Sequence, residues 1–172
     1  IWMECLKNNS GDNIAGKKLS LLLFSCEYDK ALAALILANS ALEMKMTVNI
    51  FCAFWGLCLL RDPNKISAEE KTAWEKMFGL VAPQGADELP LSRLNLAGLG
   101  KAMLQEMMKD HDSPDLNDFL HNAQKKGANF FACKLSLDVM GFELEELLPG
   151  VEVLTAQEYL QDALTADIQL FI

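Results

Sequence analysis

Apolar residues along this chain fall into short dense runs separated by longer stretches of helical period. That is the pattern of strands buried on both faces alternating with amphipathic helices. Residues 19–24 (Leu-Ser-Leu-Leu-Leu-Phe) form the first run. Ser25-Cys26-Glu27-Tyr28 is the loop at its carboxyl end, and Asp29 is the expected N-cap of a helix over 30–43. Ala31, Ala34, Leu35, Ala38 and Leu42 of that helix share one face. A second strand is predicted over 46–53, supported by Thr47, Val48 and Ile50. Apolar character continues to Leu60, so the run reads as a buried strand leading into an apolar loop or helix.

Ser67-Ala68-Glu69-Glu70 has the form of a capping box opening a helix to about Phe78. Residues 79–94 contain Pro83, Gly85 and Pro90 and show no period, which makes them a candidate lid or a plain surface excursion. Asn95 is placed to cap a helix running to about Lys109. Ser113-Pro114-Asp115 signals another helix start, with Leu116, Phe119, Leu120 and Ala123 on its apolar face and Lys125-Lys126-Gly127 at its close. A third strand over 128–132 delivers Cys133 into the first turn of a short helix that ends near Gly141. A helical turn over 143–147, a strand over 151–154, a second capping box at Thr155-Ala156-Gln157-Glu158 and a closing strand over 167–172 complete the pattern. Strands separated by helices, without hairpin signals, predict right-handed crossovers. The expected fold is a single-domain three-layer α/β sandwich around a mainly parallel five-stranded sheet.

Composition narrows this further. A chain of 172 residues that is 51% apolar suits one substantial core, expected over 17–172 behind a loose leader at 1–16 that is too polar for a signal peptide. The net charge of -9 lacks the basic stripe that a nucleic-acid binder needs. The longest apolar run, 50–60, is well short of the roughly 20 residues that span a bilayer. Five cysteines without a C-x-x-C pair or metal-ligand spacing fit a reduced, cytoplasmic setting, and no metal or cofactor is assigned. His111 and His121 sit on polar turns, and Gly98-Leu99-Gly100-Lys101 lacks the spacing of a phosphate loop.

Cysteine is the residue type that changes the picture. In parallel sheets ligands gather beyond the carboxyl ends of the strands. Cys26, Cys52 and Cys133 all fall near such ends. Cys52 and Cys58 lie in very apolar company and read as small buried hydrophobes. Cys133 differs: it precedes a helix, Lys134 is adjacent and Ser136 is one turn on. A helix N-terminus favours an anion by about 0.3–1 kcal/mol, enough to matter for thiolate formation. The C-x-x-S spacing supplies no local resolving thiol, which favours accepting and passing on a sulfur atom or acyl group over forming a disulfide.

Several segments together resemble the DsrE/DsrF/DrsH-like family. They are Lys30-Ala31-Leu32-Ala33-Ala34, Phe54-Trp55-Gly56-Leu57, Leu94-Asn95-Leu96-Ala97-Gly98-Leu99-Gly100, and above all Ala132-Cys133-Lys134-Leu135-Ser136-Leu137-Asp138-Val139-Met140-Gly141. The closing Gly150-Val151-Glu152 and residues 166–172 agree, so the resemblance runs from about Lys17 to the end. It implies a flavodoxin-like fold, a homo-oligomer such as a trimer or hexamer, and a cysteine that relays sulfur as a persulfide, mapped here onto Cys133. Sulfur donor and acceptor proteins or small thiols are the implied partners. The expected site is then Cys133 as sulfur carrier, Lys134 and Ser136 as supports, and Ser25, Trp55 and Asn95 as pocket walls together with the loop 79–94. Cys26 departs from the family pattern, and were it to face Cys133 the two would form a disulfide or share a persulfide. Two other readings stay open: a non-catalytic module binding a nucleotide or coenzyme A derivative over Trp55, and an assembly subunit that uses Met103, Met107 and Met108 as contacts.

Overall fold

The computed structural model describes residues 14–66 and 72–172, apart from the side chain of Trp74. The expected leader at 1–16 falls mostly outside these residues, and so do the capping box expected at 67–70 and Cys5. The described strands are β1 (Lys18–Leu23), β2 (Thr47–Cys52), β3 (Asn129–Cys133), β4 (Val151–Leu154) and β5 (Ile168–Phe171). The helices are α1 (Tyr28–Glu43), α2 (Ala73–Val81), α3 (Leu99–Asp110), α4 (Leu116–Lys125), α5 (Lys134–Met140) and α6 (Ala156–Ala163), and a 3₁₀ helix covers Phe54–Leu60.

All strand pairs are parallel, in the order β4-β3-β2-β1-β5. The chain steps in one direction from β1 to β4 and then returns across the sheet to place β5 on the far side of β1. Right-handed connections put the helices of same-direction steps on one face and the helix of the reversed step on the other. The packing agrees. Leu19, Leu21, Leu23, Val48, Ile50, Phe130 and Ala132 point into a large core with residues of α1, α4 and α5. The alternate residues Phe51, Ala53 and Cys133 form a separate small cluster flanked by Leu22, Phe131, Leu154 and Tyr159 of α6. This is the α/β sandwich with a five-stranded parallel sheet that the sequence predicts, with one layer thin.

Polar groups fasten α6 to this face at the amino ends of the strands. Asp162 accepts from Asn49 Nδ2 at 2.8 Å, Asn49 Oδ1 accepts from Asn129 Nδ2 at 2.8 Å, and Lys18 pairs with Asp162. Thr155 and Glu158 close the expected capping box at the start of α6.

Several helix starts differ from expectation; α2, for one, is capped by Thr72, with Glu75 closing the box. The α1 cap is Glu27, whose extended backbone lets Tyr28 N–H donate to Pro90 O at 2.7 Å. Asp29 lies inside the first turn and instead accepts from Ser92 N–H at 2.9 Å and Ser92 O–H at 2.6 Å. Asp115, not Ser113, caps α4, because Asp118 stands three residues on and returns the bond to the Asp115 amide. Asn95 makes no side-chain cap. Its Oδ1 accepts from Leu91 N–H at 3.3 Å, and the positive φ of Ala97 (56°) delays α3 to Leu99. The segment 79–94 contains a short 3₁₀ turn (Ala86–Glu88) and buries Ala82, Ala86 and Leu89. It is anchored to α1 through Pro90 and Ser92.

Candidate functional site: two thiol positions on opposite faces of the sheet

Cys133 is the last residue of β3 and the N-cap residue of α5, one position earlier in the strand-to-helix junction than expected. Strand alternation decides its surroundings. Phe130 and Ala132 face the large core, so Phe131 and Cys133 face the other side. Cys133 is 6% exposed, in one cluster with Phe51 and Tyr159, whose stacked ring centroids lie 4.3 Å apart.

Its expected supports divide. Ser136 is fully buried one turn along α5, and among the described residues its hydroxyl has no hydrogen-bond partner. Lys134 is exposed and pairs with Asp138 at 3.1 Å, the (i, i+4) arrangement that a helix surface favours, so its ammonium is engaged along the helix. The helix itself is only seven residues long and Cys133 makes no side-chain cap bond to it. The dipole contribution expected at this position is correspondingly small.

A cavity of about 480 Å³ opens beside the carboxyl end of β1, where the order of strands reverses. Its walls include Ser25, Cys26, Lys30, Trp55, Pro83 and Pro90. Two expected pocket residues, Ser25 and Trp55, therefore do meet, and the 79–94 segment contributes through its prolines. Asn95 is not in these walls, because its side chain is turned to Leu91. Cys133 is not there either: the cavity belongs to the helix-rich face. Trp55 also borders a second, apolar cavity of about 390 Å³ with Phe54, Met77, Phe78, Val139 and Met140.

The partner of Cys26 is Cys58. Cys26 packs on the large core, and its thiol interacts with the thiol of Cys58. The expected approach of Cys26 to Cys133 is not made, since alternation along β3 sends Cys133 to the opposite face. The Cys26 thiol beside it holds Cys58 below the usual thiol range against the opposing effect of burial, and nearby Arg61 acts in the same direction. Cys26 is pushed up by the same neighbour, with burial adding to the shift. Cys52 is wholly buried and pushed up by burial alone, which fits its reading as an inert hydrophobe. Cys58 is equally buried but has a thiol partner.

Sequence reasoning missed Arg61. It is 1% exposed, donates from Nη1 to the carbonyls of Gly79, Ala82 and Pro83 at 3.1–3.2 Å, and lies 4.0 Å from Glu146. Its guanidinium also stacks over Phe142, 4.4 Å from the ring centre. The residue thus gathers the start of the 79–94 segment, the cavity wall and the Cys58 surroundings around one buried cation. The available signal was an arginine ending an eleven-residue apolar run, at residues 50–60, where a solvent-facing charge is the ordinary reading.

Among the described residues no helix is long and apolar enough to cross a membrane. The protein YrkE of Bacillus subtilis (strain 168), itself uncharacterized, is 39% identical over 156 residues, covering 91% of this chain and 97% of its own. The sulfur carrier protein DsrE2 of Allochromatium vinosum is 27% identical over 160 residues, covering 91% and 98%. The crystal structure of the E. coli protein ychN has a similar fold, with a TM-score of 0.54 at 14% identity over 91% of this chain and 99% of that one. The model of the DsrE/DsrF/DrsH-like family matches residues 15–171, nearly the whole described structure, so the chain belongs to the DsrE/DsrF/DrsH-like family.

Proposed function

We propose that this protein is a sulfur-relay protein that carries sulfane sulfur as a persulfide on Cys133. The observation that carries the reading is the strand-to-helix junction itself: a cysteine ends β3 at the carboxyl edge of the sheet, and a buried serine hydroxyl one turn on lacks a partner. Buried polar groups are ordinarily satisfied, so such a hydroxyl is a place for an acceptor to arrive. A persulfide extends the Cys133 side chain by one sulfur and offers that acceptor. The sulfur-carrier name of the DsrE2 relative supports the same assignment.

The chemistry needs no outside oxidant. The Cys133 thiolate attacks the terminal sulfur of a donor persulfide, the donor S–S bond breaks, and the donor leaves as a thiolate. An acceptor thiolate then removes the outer sulfur from Cys133 by the same step in reverse. Tyr159 and Phe51 cover the thiol between these events, which protects a labile persulfide from solvent, and Tyr159 must yield for transfer.

Exposed apolar positions support assembly into a homo-oligomer. Leu99, Met103 and Met107 recur along one side of α3 and are each more than half exposed, whereas Met108 packs on the core. Cytoplasmic location is part of the same reading, supported by the four free thiols among the described residues.

The test is exposure of the purified protein to a persulfide donor followed by peptide mass analysis. The expected result is a gain of one sulfur atom on the Cys133 peptide that disappears in Cys133→Ser. A Cys133 peptide that stays unmodified while other thiols acquire sulfur would refute the proposal.

A further inference from the structure

We infer that Cys26 and Cys58 constitute a second, redox-active thiol site at the Trp55 cavity, which a small-molecule disulfide converts to an internal Cys26–Cys58 disulfide. This inference is independent of any role for Cys133.

Backbone contact brings together the two segments that carry these cysteines. Ala53 N–H donates to Leu23 O at 3.0 Å, and Gly56 then comes so close to the same carbonyl that a Cβ at position 56 would lie 2.1 Å from it. Only glycine permits that approach, and it folds the 3₁₀ helix back over the end of β1, where Cys26 follows. The result is two interacting thiols with different access. Cys26 is half-buried and lines the cavity, while Cys58 lies fully enclosed behind it. Arg61, three residues beyond Cys58, supplies a buried positive charge that favours a thiolate at either sulfur, and Glu27 at the cavity opposes it at Cys26. Cys52 has the burial without the thiol partner or the cavity, and serves as the internal control.

This geometry gives each sulfur a task. Cys26, the thiol that lines the cavity, loses its proton to solvent and attacks one sulfur of R–S–S–R there, forming Cys26–S–S–R and releasing RS⁻. Cys58 gives its proton to RS⁻, attacks the Cys26 sulfur as a thiolate, and expels the second RS⁻. Two electrons pass from the dithiol to the reagent, which ends as RSH and RS⁻, and the protein ends with one S–S bond. The cavity of about 480 Å³, with its tryptophan and proline walls, gives a small-molecule disulfide access to Cys26; at its edge the Lys30 ammonium pairs with Glu27 at 3.3 Å.

Oxidised glutathione is the probe. The full chain is incubated with it, alkylated after denaturation, and digested without reduction. The expected product is a crosslinked pair of peptides containing Cys26 and Cys58, lighter by two hydrogens than their sum, with Cys52 and Cys133 still alkylated. In Cys58→Ser the glutathione remains on Cys26 as a stable mixed disulfide, because the resolving thiol is gone. In Cys26→Ser, Cys58 stays unmodified. The wild-type result decides the question even if a variant fails to fold. A Cys26–Cys133 crosslink, a lasting mixed disulfide on wild-type Cys26, or a Cys26 that never reacts would each overturn the inference.

Discussion

The two faces of the sheet treat a thiol at the end of a strand differently. On the helix-rich face, Cys26 meets Cys58 beside a cavity and a buried arginine. On the thin face, Cys133 lies alone among apolar side chains with Tyr159 of a single short helix. Parity along a strand is what separates them. A shift of one residue in β3 would exchange Ala132 for Cys133 and bring the latter thiol into the large core. The comparison teaches that proximity to the carboxyl edge does not specify a cysteine's chemistry; the face does.

The largest expected effect comes from the cation that organises the first region. Arg61→Ala removes a buried cation 4.0 Å from Glu146 and releases the carbonyls of Gly79, Ala82 and Pro83, and should lower stability by about 3–5 kcal/mol in urea unfolding. It should also raise the pKa of Cys58, since Arg61 acts to lower it. A loss under 1 kcal/mol would mean that Arg61 is not the centre of the helix-rich side.

Tyr159→Ala probes the second region. Removing the ring that stacks on Phe51 should speed alkylation of Cys133 by about tenfold, equivalent to about 1.4 kcal/mol of protection, while the rate at Cys26 stays unchanged. Equal acceleration at both thiols would indicate general loosening and break the distinction between the faces.

The smallest effect concerns the tie between α1 and the cavity wall. Burial pushes the Asp29 carboxyl up, but the hydroxyl and amide of Ser92 together outweigh it, and the net shift is downward. A folded-state pKa below the unfolded value of about 3.9 gives a contribution to stability that is present above that value and is lost as pH falls through the folded pKa. Asp29→Ala should therefore cost about 0.5–1.5 kcal/mol at neutral pH and progressively less as pH falls through the folded-state pKa. Hydrogen exchange at the Ser92 amide checks this: faster exchange in the variant at pH 6, with the difference shrinking in acid, is the expected pattern.

Much of the fold is legible in the sequence because it rests on local signals. Residues 151–154 form a strand as predicted, and the Thr155–Glu158 box opens α6 because both partners of the motif lie within one turn. Helix starts were legible only to within a few residues. Asp29, Asn95 and Ser113 are good caps in isolation, yet each loses the position to tertiary geometry: an amide bond to Pro90, a left-handed Ala97, and an aspartate box one step further on. At the candidate site, the position of Cys133 follows from the strand before it and the helix after it. The Cys26–Cys58 pair does not, since it depends on Gly56 closing against Leu23 across adjacent strands. Lys134 shows the converse, where adjacency in sequence implies a sulfur neighbour and the helix surface supplies Asp138.

The central claim is that the two faces carry two separable sulfur chemistries, and one measurement addresses it directly. The wild-type protein is treated first with a persulfide donor and then with oxidised glutathione, and every cysteine peptide of the same sample is mapped by mass. The account predicts an additional sulfur atom on Cys133 and a Cys26–Cys58 disulfide in the same molecules. Additional sulfur on Cys26, or a disulfide joining Cys26 to Cys133, would contradict it.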